Sequence, residues 1–219
     1  YLIPIIMTQI FLLILLIFIL LLSCLAWRFA SRRTALPCPV CMRWLLDPSS
    51  GKGVSARTRR TITNLALKPG MQVLDAGCGP GRLSVPLADA VGPDGTVTAM
   101  DLQDGMLAIV RERGEKNKIT NISFIQGGIG EVEIPSEQYD RAVLITVLGE
   151  IPNRETAMRG LFKALKSGGI LLVEETIRDP HFQTRSTVTQ LAESAGFRVK
   201  EFSGNRLSYT MLLEKPVIP

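Results

Sequence analysis

Residues able to do chemistry gather in two places along this sequence. The first is Asp75-Ala76-Gly77-Cys78-Gly79-Pro80-Gly81, where a carboxylate follows the apolar pair Val73-Leu74 and leads into three closely spaced glycines. Such a stretch suits a strand that ends in a turn too tight for side chains and then opens a helix. Backbone N–H groups at that helix start can approach a nucleotide-type cofactor closely. Thr96 to Asp101 reads as the next strand, and Asp101, twenty residues after Gly81, stands where a βαβ unit carries an acceptor for ribose hydroxyls. The second place is a set of proton-transfer candidates further along: Glu150, Glu174, Glu175 and the lone histidine, His181.

The elements needed to position these groups follow from the alternation of the chain. Strands are expected at 72–76, 96–101, 122–126, 141–146 and 170–174, separated by helices at 82–90, 105–115 and 154–165. A helix at 54–67 precedes them, and a helix at 187–195 leads to two runs, 197–202 and 207–214, joined by Ser203-Gly204-Asn205-Arg206 as a hairpin. Apolar strands separated by helix-length segments imply a parallel sheet covered on both faces. Ligands of such sheets bind beyond the carboxyl ends of the strands, which is where both groups of residues fall.

Leu74-Asp75-Ala76-Gly77-Cys78-Gly79-Pro80-Gly81 resembles the first motif of class I methyltransferases, which use S-adenosyl-L-methionine (SAM) and release S-adenosyl-L-homocysteine. A dinucleotide fingerprint spaces its glycines G-x-G-x-x-G, whereas this one reads G-x-G-x-G with an acid two residues ahead. The resemblance covers roughly residues 54 to 215 and is nearest to the small-molecule branch that includes the ubiquinone and menaquinone C-methyltransferases. It implies an α/β fold with a Rossmann-like seven-stranded sheet, five parallel strands plus a C-terminal hairpin. It also implies site roles. Gly77, Cys78, Gly79 and Gly81 admit the methionine part of SAM, and Asp75 holds its ammonium directly or through water. Asp101 takes the ribose hydroxyls, with Leu102 and Met106 near the adenine. A helix at 54–67 lines the pocket, bringing Arg57, Arg59 or Arg60 toward the methionine carboxylate. The family usually places an acid after the third strand; here Gly127-Gly128-Ile129 stands instead, leaving adenine recognition to the backbone at Gly128 or to Ile129. Thr146 and Glu150 follow the fourth strand, where the transferable methyl is expected to point. Glu150 is the first candidate for a general base, His181 the second, Glu174 and Glu175 the third.

The remainder of the chain carries a different signal. The first 27 of the 219 residues contain no Asp, Glu, Lys, Arg or His, and Leu2 to Leu22 is apolar apart from Pro4, Thr8 and Gln9. About 20 such residues cross a hydrocarbon core of about 30 Å, so residues 1–27 are expected to form one transmembrane helix. The run is too long for a signal-peptide core and has no small-residue cleavage site. Arg28, Arg32 and Arg33 follow it immediately, which by the positive-inside rule places the catalytic domain, 54–219, on the cytoplasmic side of a single-pass membrane protein; Trp27 and Phe29 suit the headgroup level. Between Arg28 and Ile62, eight basic residues stand against one acid, Asp47, so the excess charge of +5 is juxtamembrane. A basic linker at 28–53 is therefore expected to hold the domain against the bilayer. No RNA-reading aromatic motif accompanies these charges, and nucleic acid is not an expected partner.

Cys38-Pro39-Val40-Cys41 is the only C-x-x-C and lacks a second pair or a nearby histidine, so no metal is expected. The leading expectation is a membrane-anchored methyltransferase acting on a small lipophilic acceptor, a quinone or other isoprenoid or a lipid. A non-catalytic SAM sensor or scaffold is the alternative, and a thiol or metalloid acceptor is the alternative suggested by Cys38 and Cys41.

Overall fold

The computed structural model describes residues 2–34 and 54–217. An N-terminal helix, α1 (Leu2–Thr34), precedes in sequence a domain that runs α2 (Ala56–Leu65), β1 (Gln72–Ala76), α3 (Ser84–Val91), β2 (Thr96–Asp101), α4 (Asp104–Lys116), β3 (Ile122–Gln126), β4 (Tyr139–Ile145), α5 (Arg154–Ala164), β5 (Leu165–Thr176), α6 (Arg185–Ala195), β6 (Arg198–Gly204) and β7 (Ser208–Glu214). The seven strands form one sheet in the order β3-β2-β1-β4-β5-β7-β6. The first five are parallel, and β7 runs antiparallel between β5 and β6. This is the expected sheet.

Strand alternation assigns the two faces. Val73, Val97, Val143 and Leu172 share a core with Leu65 of α2 and Leu87, Ala88 and Val91 of α3, while Ala99 packs on Leu107 and Val110 of α4. Their neighbours Leu74, Met100, Ala142, Leu144, Leu171 and Val173 face the other way, onto Ala157, Met158 and Leu161 of α5 and Val188 and Ala192 of α6. Because successive side chains point to opposite faces, the same alternation decides which face each strand-end acid joins. Asp75 and Glu174 fall on the α2–α3 face and Glu175 on the α5–α6 face.

Local chemistry sets the ends of α2 and β5. Helix α2 is shorter than the expected 54–67 because the Ser55 side chain accepts the Thr58 N–H as N-cap and Ala66 turns left-handed at the C-terminus. Strand β5 begins at Leu165 rather than Ile170. Gly168 and Gly169 lie within the strand, where Gly168 N–H donates to Lys215 O and Lys215 N–H to Gly169 O, each at 2.9 Å.

In α1 the side chains from Met7 to Leu20 form a continuous exposed run. Among the described residues no helix is long and apolar enough to cross a membrane. The side chains of Cys24, Trp27, Arg28, Phe29, Arg32 and Arg33 lie outside the described residues, as do Cys38, Cys41, Arg43, the turn at 47–51 and Lys52.

Candidate functional site

The carboxyl ends of β1, β2, β4 and β5 converge on the glycine turn. Gly77 has φ +73°, and a Cβ there would lie 2.5 Å from a methyl of Val147, the residue that follows β4 and Thr146. Glycine therefore lets the β1 and β4 loops close on each other. Cys78 and Gly77 both donate their N–H to Met100 O, at 2.9 and 2.8 Å, which locks the turn to the end of β2. The Cys78 thiol is buried, donates to Gly79 O and is pushed well above its ordinary pKa by desolvation, with Asp75 and Asp101 adding to it. It is a packing group, not a nucleophile.

Asp101 does two jobs. Its Oδ2 accepts the Gly79 N–H and its Oδ1 accepts the Gln103 N–H, both at 2.9 Å. Burial raises its pKa, opposed by these backbone donors. The acid thus pins the glycine turn and keeps further lone pairs for a ligand. Leu102 beside it is 51% exposed, whereas Met106 is buried. The apolar surface beside the acid is thus presented by Leu102, with Met106 buried in the first turns of α4.

Asp75 has a protein partner. Its alternation in β1 turns it toward α3, where it is buried and accepts a 2.6 Å hydrogen bond from Ser84. Desolvation pushes its pKa up to about 6, with Ser84 and Arg82 pulling it back and Asp101 adding to it. Asp75 holds the start of α3 behind the glycine turn through this bond. Ser84, which sequence reasoning missed, is its partner. The signal was available: a polar residue opening α3 opposite a strand-end acid of the same face.

At the third corner, Glu131 folds back over Gly128, so that a Cβ on Gly128 would collide with its carboxylate. Glu131 N–H donates to Gly128 O at 3.0 Å. A carboxylate thus reaches this corner from a turn three residues on, although none directly follows β3, and Ile129 is buried.

The proton-transfer candidates separate into two groups. Glu174, on the α2 face, is paired with Arg57 Nε at 2.5 Å, while the Arg57 Nη2 is buried without a hydrogen-bond partner among the described residues; Arg59 and Arg60 are exposed on α2. On the other side Glu150 and His181 meet. His181 Nδ1 lies 3.7 Å from Glu150 Oε1 and 3.7 Å from Asp179 Oδ1, and Asp179 also accepts the His181 N–H at 2.7 Å. The approach is possible because residue 149 is glycine: a side chain there would strike the His181 carbonyl. Arg154 fixes the turn from the other side, donating to Leu148 O and Gly149 O at 3.1 and 3.0 Å. Burial, then Asp179, Asp101 and Glu175, push Glu150 up to about 8. Glu175 is also raised to about 8, mainly by burial; its Oε2 accepts the Gln183 N–H at 3.0 Å and braces the loop that carries His181. Thr146 adopts φ +53°, and its hydroxyl donates to Ile145 O at 2.8 Å. A non-glycine residue held there marks a site whose surroundings overrule local preference.

The comparisons with known proteins agree with this geometry. Residues 67–205 match the model of the methyltransferase domain family, and the chain belongs to that family. The ubiquinone/menaquinone biosynthesis C-methyltransferase UbiE of Shewanella sediminis is 32% identical over 124 residues, covering 56% of this chain and 49% of that protein. The demethylmenaquinone methyltransferase of Listeria welshimeri is 29% identical over 118 residues, covering 54% and 50%. The chain spans about half the length of these curated relatives. A SAM-dependent methyltransferase from Aquifex aeolicus has the same fold, with a TM-score of 0.72 at 20% identity over 82% of this chain and 100% of that one. The domain is of the SAM-dependent methyltransferase class, and its residues fit that cofactor: a turn where a Cβ has no room, an acid at the end of β2, and an exposed apolar side chain beside it.

Proposed function

We propose that this protein is a membrane-anchored methyltransferase that moves the methyl group of SAM to a small lipophilic acceptor bearing an ionisable hydroxyl, a quinol being the leading case. SAM supplies an electrophilic methyl on a positively charged sulfur. The chain must align the acceptor, exclude water and take a proton. Asp101 and the glycine turn at 77–81 hold the cofactor, with Leu102 against its base and Glu131 or the Gly128 backbone at the adenine corner. Thr146 and Val147 shape the ground between cofactor and acceptor.

The observation that carries the reading is the meeting of Glu150 with His181 beside Thr146 at the end of β4. A carboxylate titrating near 8 is suited to accept a proton from a weakly acidic hydroxyl, because a base works best when its pKa lies close to the working pH. The names of the curated relatives, a ubiquinone/menaquinone C-methyltransferase and a demethylmenaquinone methyltransferase, favour a ring carbon made nucleophilic by loss of the neighbouring hydroxyl's proton over a thiol or metalloid. The uncharged start of the chain, continued in the exposed apolar run Met7–Leu20 of α1, supports a bilayer anchor with the domain on the basic, cytoplasmic side. The test is Glu150→Gln assayed with demethylmenaquinol in vesicles. Turnover is expected to fall at least 100-fold with SAM affinity within threefold of the parent. Unchanged turnover would remove Glu150 from the chemistry.

A further inference from the structure

Two loops at the cofactor end of the sheet carry the same unusual pairing of residues. After β5 comes Ile177-Arg178, and before β7 comes Arg206-Leu207. Ile177 is 37% exposed and Leu207 58% exposed, and both arginines are exposed. The loops are joined: Ile177 N–H donates to Leu207 O at 2.7 Å, continuing the β5–β7 ladder that ends at Thr176 and Ser208. Leu207 is held at the tip, because Asn205 Oδ1 accepts the N–H groups of Leu207 and Ser208 at 2.8 and 3.1 Å. Neither arginine pairs with a carboxylate among the described residues.

We propose that Ile177, Arg178, Arg206 and Leu207 form a bilayer-docking edge that seats the open end of the sheet on anionic lipid. Two apolar tips fixed by backbone hydrogen bonds gain by entering the acyl boundary, and the flanking guanidiniums sit at headgroup depth, where a negative surface attracts them. The charge and the apolar tips together select an anionic lipid surface as the occupant. The edge lies at the carboxyl end of β5, the same end as Asp101, Thr146 and Glu150. Docking there would open the acceptor side of the site toward the lipid. Helix α2 reaches the same end, since Arg57 pairs with Glu174 of β5, and exposed Val54 precedes it. The edge is independent of α1 and stands whether or not α1 spans.

The full chain is mixed with vesicles of phosphatidylcholine, with or without phosphatidylglycerol, carrying brominated acyl chains. Tryptophan is placed by Leu207→Trp or, at the opposite end of the sheet ahead of β2, by Asp94→Trp, and the emission of the parent's Trp27 and Trp44 is subtracted. The added emission of Leu207→Trp is expected to be quenched at least twofold more than that of Asp94→Trp on anionic vesicles. The excess should shrink in 1 M salt as charges are screened and vanish with Arg178→Glu and Arg206→Glu together. Equal quenching at the two positions, on vesicles with which the chain floats, overturns the proposal and leaves the anchor standing. Flotation only on anionic vesicles, lost in high salt and accompanied by excess quenching at 207, supports the edge and removes the anchor.

Discussion

Ser84→Ala tests whether Asp75 is a support of the glycine turn or a ligand contact. In the parent, the fully buried Ser84 hydroxyl donates to Asp75 at 2.6 Å, and the carboxyl titrates near 6 against an ordinary 3.8. The folded state therefore binds the Asp75 proton more tightly than the unfolded chain. Stability is highest below about pH 4 and falls by about 3 kcal/mol as pH rises through 6. Ser84 limits that fall by stabilising the ionised form. Removing it takes a charge-assisted hydrogen bond from a buried carboxylate, about 1.5–3 kcal/mol at pH 8, and a neutral one of about 1 kcal/mol or less at pH 4.5. Urea unfolding followed by circular dichroism at the two pH values measures both. SAM affinity, by isothermal titration, should stay within about threefold. An equal loss at both pH values, or none at pH 8, refutes the role given to this pair. A large loss of SAM affinity in a folded protein would return Asp75 to the ligand.

Gly77→Ala should weaken SAM binding at least tenfold by pressing a Cβ onto Val147, and Val147→Ala in the same chain should recover part of it; the left-handed strain of about 1 kcal/mol remains. Asp101→Ala should cost about 1–3 kcal/mol of SAM affinity, read by titration, and loosen the turn at Gly79. Glu150 and Glu175 bind protons more tightly folded than unfolded, their values standing near 8. Stability should therefore decline as pH rises from about 4.5 to 8. Glu150→Gln should flatten that decline in thermal melts recorded across the range, and an unchanged slope would contradict the burial of its charge.

Much of this was legible in the sequence. Alternating apolar runs and helix-length gaps located every strand, because a parallel sheet buried on both faces leaves few other readings. Strands β1, β2 and β3 fall at the expected residues. What could not be read was which face each acid joins and what meets it there. Glu174 and Glu175 are neighbours in sequence, yet one pairs with Arg57 on α2 and the other braces Gln183 under the His181 loop. The Ser84 partner of Asp75 depends on the alternation that puts Asp75 on the same face as Val73 and α3. Glu131 escaped notice because a turn, not a strand end, delivers it to Gly128. The meeting of Glu150 with His181 depends on Gly149 having no side chain, a long-range condition that local sequence does not announce.

The central claim is methyl transfer to a lipophilic, hydroxyl-bearing ring acceptor at the membrane, and its most direct test follows the methyl group itself. Full-length protein in anionic vesicles containing demethylmenaquinol is given SAM labelled in the methyl carbon, and the lipid phase is extracted and analysed by mass. The account predicts a labelled methyl on the quinol ring, lost with Asp101→Ala and Glu150→Gln. A folded protein that binds SAM and leaves all label in the aqueous phase would contradict it.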